Sequence, residues 1–240
     1  MDPTPQGQPT MSNADWRAGL RRRILLPAPA LQEPPTGPTP CRQQSHFTEG
    51  TVCTCQLDPE GIHEELCNIG GGVNRRHNAV RTWLASKFRE LTHCRIAEEY
   101  FVPTLDKDYA PSPAHPTGRS VRARIDVITQ DDTDTTMYDV VIANIATTDK
   151  AELKRRTTEP GRAARLAAIG KRTRYDGHVI PFAIEDTGRL HPQAARTLHT
   201  LASHTINPQD TYPTLVAELQ TIIFSTSMSF QRTARGHRPL

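Results

Sequence analysis

The alternation of apolar and polar positions is clearest between residues 121 and 143, where it predicts two β-strands joined by a short acidic turn. The segments are VRARIDVI at 121–128 and MYDVVIA at 137–143, and both are rich in β-branched residues. Each carries an aspartate well inside the strand, Asp126 in the first and Asp139 in the second. If the hairpin pairs symmetrically about Asp132 and Thr133, the two aspartates lie opposite each other with their β-carbons about 4.5–5.5 Å apart.

Two carboxylates at that separation repel each other, and one of them would take up a proton. A divalent cation between them removes the repulsion, and hard oxygen ligands of this kind suit magnesium. The alternative is a polar edge hairpin with solvated aspartates. The hairpin alone does not decide between the two interpretations.

Further elements follow from the same patterning on both sides of the hairpin. Helices are predicted at 79–91, 159–175, 191–204 and 211–231, strands at 96–102 and 178–184, and a loop at 106–118. In the second helix we expect Leu166, Ile169 and Ala163 to face the core. Pro181 indicates an edge position or a bulge for the last strand. This order of elements predicts an α/β sandwich around a small mixed sheet.

Composition narrows the class of protein. The chain has 240 residues, 36% hydrophobic residues and a formal net charge of +3, a mild basic balance that permits a nucleic-acid partner. No apolar run approaches the ~20 residues that span a bilayer, and the N-terminus does not resemble a signal peptide, so we expect an intracellular protein without a membrane partner. An odd number of cysteines argues against a secreted disulfide framework.

Four ligand-type residues lie close together in the sequence and predict a zinc site. Cys53, Cys55, His63 and Cys67 form the pattern C-x-C-x7-H-x3-C, in which the histidine and the last cysteine fit one helical turn. The C-x-C pair is tighter than the usual spacing, and either Cys41 or His46 could replace one ligand. With three thiolates and one imidazole, the zinc would be structural.

Taken together, these motifs resemble the restriction-like endonuclease at the C-terminus of site-specific non-LTR retrotransposon polyproteins, the R2-like elements and their trypanosomatid relatives. The cysteine pattern is similar to that family's Cys-Cys-His-Cys knuckle, and residues 76–78 (Arg-His-Asn) are similar to its helix start. Glu99, or its neighbour Glu98, is similar to the strand glutamate, and Asp139 follows Asp126 after twelve residues. The basic helix motif is matched by Lys171, Arg174 and Tyr175.

The resemblance implies a restriction-endonuclease-like α/β/α core with a mixed sheet, preceded by a small zinc knuckle. Its implied divisions are a disordered proline-rich segment at 1–40 with a short basic helix at about 14–26, the knuckle at 41–72, the core at 73–206, and a C-terminal helix and tail at 207–240.

The sequence departs from the family's pattern at two positions. Ile125 replaces the proline of the PD motif, and Val141 occupies the usual position of the catalytic lysine, which makes Lys171 the candidate.

Specific roles follow from this resemblance. The implied catalytic residues are Glu99, Asp126, Asp139, Lys171 and Tyr175, and the three acids among them would hold Mg²⁺ or Mn²⁺. The residues expected to contact nucleic acid are Arg75, Arg76, His77, Arg155, Arg156 and Arg174.

The expected function is a metal-dependent endonuclease that nicks a DNA target site for retrotransposon insertion. Its partners would be the DNA target and, in the same element, the RNA and the reverse transcriptase domain, and its location would be the nucleus. The alternative is a catalytically inactive nucleic-acid-binding module, a zinc knuckle on a nuclease-like fold that docks a retroelement protein on DNA.

Overall fold

The computed structural model describes residues 40–45, 48–57, 63, 66–110, 117–147 and 149–234, with side chains described up to residue 227. Two predictions lie outside the described residues: those for residues 1–39, including the helix at about 14–26, and the alternative ligand His46. In the part of the chain that the structure describes, no helix has the length and apolar character needed to cross a membrane.

The described strands are β1 (Arg95–Phe101), β2 (Lys107–Tyr109), β3 (Arg119–Val121), β4 (Arg124–Gln130), β5 (Thr135–Ala143) and β6 (Ile180–Glu185). Four of them form a mixed sheet in the order β1-β4-β5-β6, in which only β5 and β6 are parallel. The short strands β2 and β3 pair separately. The predicted α/β class with a mixed sheet is therefore confirmed, as is the edge position of the strand that contains Pro181.

The described helices are α1 (Gly72–Leu91), α2 (Lys150–Thr158), α3 (Arg162–Arg174), α4 (Pro192–Ser203) and α5 (Pro208–Ala234). The two faces of the sheet carry different helices. Val140, Phe182 and Ile184 share one buried cluster with residues of α1, α4 and α5, whereas Val141 and Ala183 pack with α3. Because successive residues of a strand point to opposite faces, α3 lies on one side of the sheet, and α1, α4 and α5 lie on the opposite side.

The hairpin of β4 and β5 has the predicted register. Val127 pairs with Tyr138, and the pairing continues to Gln130 and Thr135, which centres the turn on residues 132 and 133. The turn itself is held by Asp131, whose Oδ1 accepts hydrogen bonds from the backbone N–H groups of Thr133 and Asp134 at 2.8 Å each. One step beyond the last pair, the register brings Asp126 and Asp139 opposite each other.

The orientation of α3 differs from the expectation. Leu166 and Ile169 are 39% and 51% exposed, so their predicted core positions are wrong. The buried positions of α3 are occupied by small residues, Ala163, Ala164 and Ala168. Alanines allow a helix to approach the sheet closely, and the buried stripe of α3 is therefore poor in the large apolar residues on which the periodicity argument relied.

Two smaller departures concern the connections. The predicted loop at 106–118 contains strand β2, and its remainder from 111 to 116 lies outside the described residues. Helix α2 was not predicted, because it is strongly polar and has no buried residue. It is stabilised by Asp149, whose side chain caps its N-terminus by accepting from the N–H groups of Ala151 and Glu152.

Candidate functional site

The centre of the candidate site is the aspartate pair in the middle of the sheet. Asp126 is 6% exposed and Asp139 is 2% exposed, so both predicted acids are buried. Oδ2 of Asp126 accepts a hydrogen bond from the backbone N–H of Val140 at 2.7 Å, which ties the side chain of β4 to the backbone of β5. Beyond the last backbone pair of β4 and β5, the carboxylate of Asp126 therefore accepts the hydrogen bond that a backbone carbonyl of the neighbouring strand would otherwise accept.

The two carboxyl groups titrate far apart. Burial raises the pKa of Asp139 to about 7, and the neighbouring Asp126 adds to the rise. Burial acts on Asp126 as well, but hydrogen bonds from His77 and Asp139 outweigh it and hold the pKa of Asp126 at about 2. Two adjacent buried carboxyls of which one is ionised and the other holds its proton are what the hairpin register predicts in the absence of a bound cation.

Lys171 reaches the pair of Asp126 and Asp139 from α3, the helix that carries the basic motif noted in the sequence. Its Nζ lies 2.8 Å from Oδ2 of Asp139, and its side chain is 22% exposed. Lys171 follows the buried Ala164 and Ala168 at helical spacing, so the alanine stripe that brings α3 close to the sheet also directs this lysine into it.

Tyr175 closes the same side of the site. It is 2% exposed and packs with Ala123, Ile125 and Val179. Burial raises the pKa of Tyr175 to about 12, and the charge of Asp139 raises it further. Tyr175 is therefore a neutral core residue whose hydroxyl lies near Asp139.

His77 reaches the acids from α1, on the opposite face of the sheet. Its Nε2 lies 3.1 Å from Oδ2 of Asp126 and 3.2 Å from the carbonyl oxygen of Val140. Both neighbours are acceptors, so Nε2 carries a proton and donates it. Burial lowers the pKa of His77, but the interaction with Asp126 outweighs burial and raises it above its ordinary value. The imidazole of His77 thus points into the acid site, and its expected contact with nucleic acid stays a prediction.

Glu98 and Glu99 bind arginines. Glu99 has a positive φ of 51° and contacts Arg81, with Arg124 at 3.6 Å from the same oxygen. Glu98 accepts a hydrogen bond from Arg89 at 2.7 Å. The structure thus does not bring Glu99 to the aspartates. A non-glycine residue in the left-handed region is uncommon and marks a local distortion of β1.

The other residues expected to contact nucleic acid separate into two groups. Arg76 is 5% exposed and donates to Ser227 of α5, so its predicted nucleic-acid contact is wrong and it instead ties two helices together. Arg156 is half-buried against Glu152 and the carbonyl oxygen of Asn144. Among the rest, Arg75 and Arg155 are exposed, and the half-buried Arg174 lies over the ring of Tyr175.

A second site lies in the cysteine segment. The ligand atoms of Cys41, Cys53, His63 and Cys67 all lie within 4.8 Å of one another, and this set could hold a metal ion such as zinc. Sγ of Cys53 lies 3.4 Å from Nε2 of His63, and Sγ of Cys41 lies 3.9 Å from Sγ of Cys67. The expected ligand Cys55 is exposed and lies outside the set, so the structure selects the alternative ligand Cys41.

The backbone explains the presence of Cys41. Residues 40–45 and 51–56 form a narrow antiparallel arm, in which Pro40 pairs with Gln56 and Gln44 with Val52. This arm places Cys41 beside Cys53 although eleven residues lie between them in the sequence, and the thiol of Cys41 is buried. Burial raises the pKa of Cys41 to about 12, so its thiol stays protonated unless a metal ion binds.

Among the described residues, no second group of three or more His, Cys, Asp or Glu ligands is as compact as the Cys/His cluster. Glu99, Asp126 and Asp139 do not form such a group, because Glu99 is held by Arg81 and Arg124. The site is thus a pair of carboxylates with one lysine and one histidine.

Replacing Asp139 with asparagine should change how stability depends on pH without divalent cations. The raised pKa of Asp139 means that its contribution to stability is complete below the ordinary aspartate value and is lost as the pH rises through about 7. An asparagine does not titrate, so the variant should lose less stability between about pH 5 and about pH 8, by on the order of 2–4 kcal/mol. Urea denaturation at the two pH values measures this. Asp132→Asn, in the exposed turn, should match the wild type, and equal pH dependence in the Asp139 variant would contradict the raised pKa.

Sequence reasoning missed Arg81, which binds the strand glutamates, and the inward direction of His77. A usable signal was present, since His77 and Arg81 are four residues apart on one helix and therefore share a face.

A scan against protein-family models finds no match for the chain, and a search of curated proteins finds no related sequence.

Proposed function

We propose that this protein is a metal-dependent DNA endonuclease that nicks a target site for retrotransposon insertion by target-primed reverse transcription. The observation that carries the proposal is the lysine–aspartate pair, in which Nζ of Lys171 lies 2.8 Å from Oδ2 of Asp139 beside the buried Asp126. Two carboxylates and a lysine are side chains that serve metal-dependent hydrolysis of phosphodiesters. The resemblance to the restriction-like endonucleases of R2-like retrotransposons supports the same reaction.

The aspartate pair fits a divalent cation with oxygen ligands, Mg²⁺ or Mn²⁺. Its two acids lie so close that one holds a proton near neutral pH, and a cation relieves that repulsion. Oδ2 of Asp126 accepts hydrogen bonds from His77 and Val140, and the contact of Asp126 with Asp139 is the one that a cation would replace. Glu99 would join as a third ligand only after leaving Arg81 and Arg124. When bound, the cation supplies Lewis-acid activation of a water molecule.

The side chains around the acids have separate roles. Asp139 and Asp126 would hold the cation as carboxylates, and His77 keeps Asp126 in place by donating to Oδ2. Lys171 stabilises the negative charge that develops on the phosphate during attack. Tyr175, whose hydroxyl lies near Asp139, helps to hold that side chain in place, while Arg174 binds a backbone phosphate from the surface.

The basic side chains of the surface would bind the DNA backbone. Arg75 and Arg155 are exposed, as are Lys150 and Lys154 on α2. Contacts of this kind are independent of sequence and weaken steeply with salt. Element RNA and a reverse transcriptase domain would be the other partners, in the nucleus. Zinc in the Cys/His cluster would be structural, since four protein ligands leave no open coordination position.

The proposal is tested by nicking of supercoiled plasmid with Mg²⁺ or Mn²⁺, comparing wild type with Lys171→Met and Arg172→Met. Loss of the Lys171 ammonium should reduce the nicking rate by about 10²–10³-fold, the usual effect of removing one group that stabilises transition-state charge. Arg172 is the next residue of the same helix but is exposed, so it is the matched control for loss of one positive charge. Equal nicking by the wild type and the Lys171 variant would contradict the proposal.

Replacing His77 should raise the Mn²⁺ concentration that half-maximal nicking requires, and it should change DNA affinity less. His77→Ala removes one of the two hydrogen bonds that Oδ2 of Asp126 accepts, and loss of a group that orients a metal ligand typically costs 10–100-fold in metal affinity or activity. His77→Gln retains an N–H donor and should recover part of the effect. The measurement is the Mn²⁺ concentration at half-maximal nicking, together with DNA affinity by gel shift. A weakened DNA affinity with an unchanged Mn²⁺ requirement would instead indicate a phosphate contact.

One observation favours the alternative, an inactive nucleic-acid-binding module. In the described part of the chain, three or more possible ligands lie close enough together to hold a metal ion in the Cys/His cluster, and the acids of the proposed nuclease site do not form such a group. In a binding module the ion pair of Lys171 and Asp139 would be purely structural. DNA binding without nicking, in wild type and Lys171 variant alike, would establish this function.

A further inference from the structure

The exposed aromatic rings of the protein are concentrated on one two-stranded ribbon. Tyr100 is 58% exposed, Phe101 51% and Tyr109 49%, and no other aromatic side chain in the described part of the chain belongs to the exposed large hydrophobic residues. All three lie at the end of β1 or in β2. We call residues 100–109 and 119–124 the outer ribbon. Phe101 and Tyr100 point to opposite faces of β1, because successive residues of a strand alternate. Large exposed rings that serve no core indicate an interaction site, and Phe101 and Tyr109 are the rings considered below.

Arginines face two of these rings across the ribbon. Phe101 is directly opposite Arg124 in the pairing of β1 with β4, and Tyr109 is directly opposite Arg119 in the pairing of β2 with β3. Directly opposed residues of antiparallel strands share a face, with their β-carbons about 4.5–5.5 Å apart. Each pair thus presents a flat ring beside a guanidinium group.

The charge of the return strand favours an anionic partner. Residues 119–124 contain the three exposed arginines Arg119, Arg122 and Arg124 and no acidic residue. Among the described residues, Arg119 and Arg122 form no ion pair with an acid, and the contact of Arg124 with Glu99 is a long one of 3.6 Å. These positive charges are therefore largely available to a ligand.

The ribbon continues directly into the acid site. Arg124 is two residues before Asp126 on the same strand, and Ala123 is tied to the start of β2 because its backbone N–H donates to Asp106 at 2.6 Å. The ring–arginine pairs and the aspartate pair are thus parts of one continuous backbone framework.

We infer that the outer ribbon binds single-stranded DNA, with bases stacked on Phe101 and Tyr109 and phosphates bound by the arginines. Aromatic rings accept any base face, and arginines bind the backbone, which together give binding that depends little on sequence. The inference rests on the proposed function in taking DNA as the partner. It adds that the DNA strand that enters the acid site is single-stranded where it crosses the ribbon.

Binding of a fluorescein-labelled oligothymidylate to the full chain, followed by fluorescence anisotropy, tests the inference without any cleavage. Phe101→Ala and Tyr109→Ala should each weaken binding by about 5- to 100-fold, the range for loss of one stacked base. Phe101→Tyr and Tyr109→Phe keep the ring and should bind as the wild type does. Leu166→Ala on α3 is the control for loss of an exposed apolar side chain elsewhere, and circular dichroism melts check the fold of each variant.

Salt and competition separate stacking from simple charge attraction. Arg119→Ala and Arg122→Ala should each reduce the slope of log affinity against log salt by about one contact. A hairpin duplex and inorganic polyphosphate should compete weakly. If they compete as well as oligothymidylate, or if the alanine variants of the rings bind normally, the inference is overturned.

Two further outcomes are decisive. No binding of oligothymidylate by the wild type would overturn the inference, and so would self-association in sedimentation that Phe101→Ala abolishes, because the ribbon would then be an interface between copies. Wild type that binds oligothymidylate but does not nick plasmid would refute the proposed activity and leave the ribbon's role intact. Wild type that nicks plasmid but does not bind oligothymidylate would overturn the ribbon's role and leave the proposed activity intact.

Discussion

Replacing Asp139 with alanine should abolish nicking of supercoiled plasmid and leave DNA binding in place. The change removes one of the two carboxylates that would hold the divalent cation, and it also removes the partner of Lys171, which lies 2.8 Å away. A bound metal ion supplies several kcal/mol of transition-state stabilisation, and each 1.36 kcal/mol is a factor of ten, so we expect a loss of about 10³-fold or more. The measurement is the rate of conversion of supercoiled to open-circular plasmid with Mn²⁺, alongside a gel shift with the same DNA.

Two matched variants sharpen this experiment. Asp139→Asn keeps the size of the side chain and removes only its charge, so it should be about as inactive as the alanine variant. Asp132→Asn changes an exposed aspartate in the turn of the same hairpin and should nick normally. If Asp139→Ala nicks as fast as Asp132→Asn, the aspartate pair is not the nuclease site. If DNA binding is lost together with nicking, Asp139 supports the fold or the DNA surface instead.

The hairpin shows why the centre of the site was predictable from sequence. The period of two residues per strand and a short turn leave few registers open, and the register centred on residues 132 and 133 is the one observed. Once the register is known, Asp126 and Asp139 must be neighbours, and their shared burial with a raised pKa at Asp139 follows from electrostatics. Local pattern and tertiary structure agree here because the contact is between strands adjacent in sequence.

The residues that were wrongly or incompletely predicted depend on contacts between distant segments. His77 turns inward because α1 packs across the sheet at Asp126, 49 residues further along the chain. Arg76 is buried because α5 covers it, with Ser227 as its partner 151 residues away. Leu166 and Ile169 were expected in the core since they are the large apolar residues of α3, but a close approach to the sheet favours alanines at the contact. Apart from the spacing of four residues between His77 and Arg81, none of these contacts leaves a local periodic signal in the sequence.

The exchange of Cys55 for Cys41 in the metal cluster should appear directly in the metal content of purified protein. We expect the wild type to hold about one zinc per chain, and Cys41→Ser to lose most of it, because a structural site needs all four of its ligands. Cys55→Ser should keep its zinc, since the exposed Cys55 lies outside the cluster. Elemental analysis after dialysis against a weak chelator measures the content, and the half-buried Cys94 supplies a second control as Cys94→Ser. Zinc lost from the Cys55 variant and retained by the Cys41 variant would show that the C-x-C pair binds the metal, and that the narrow arm at 40–56 is arranged differently once zinc is bound.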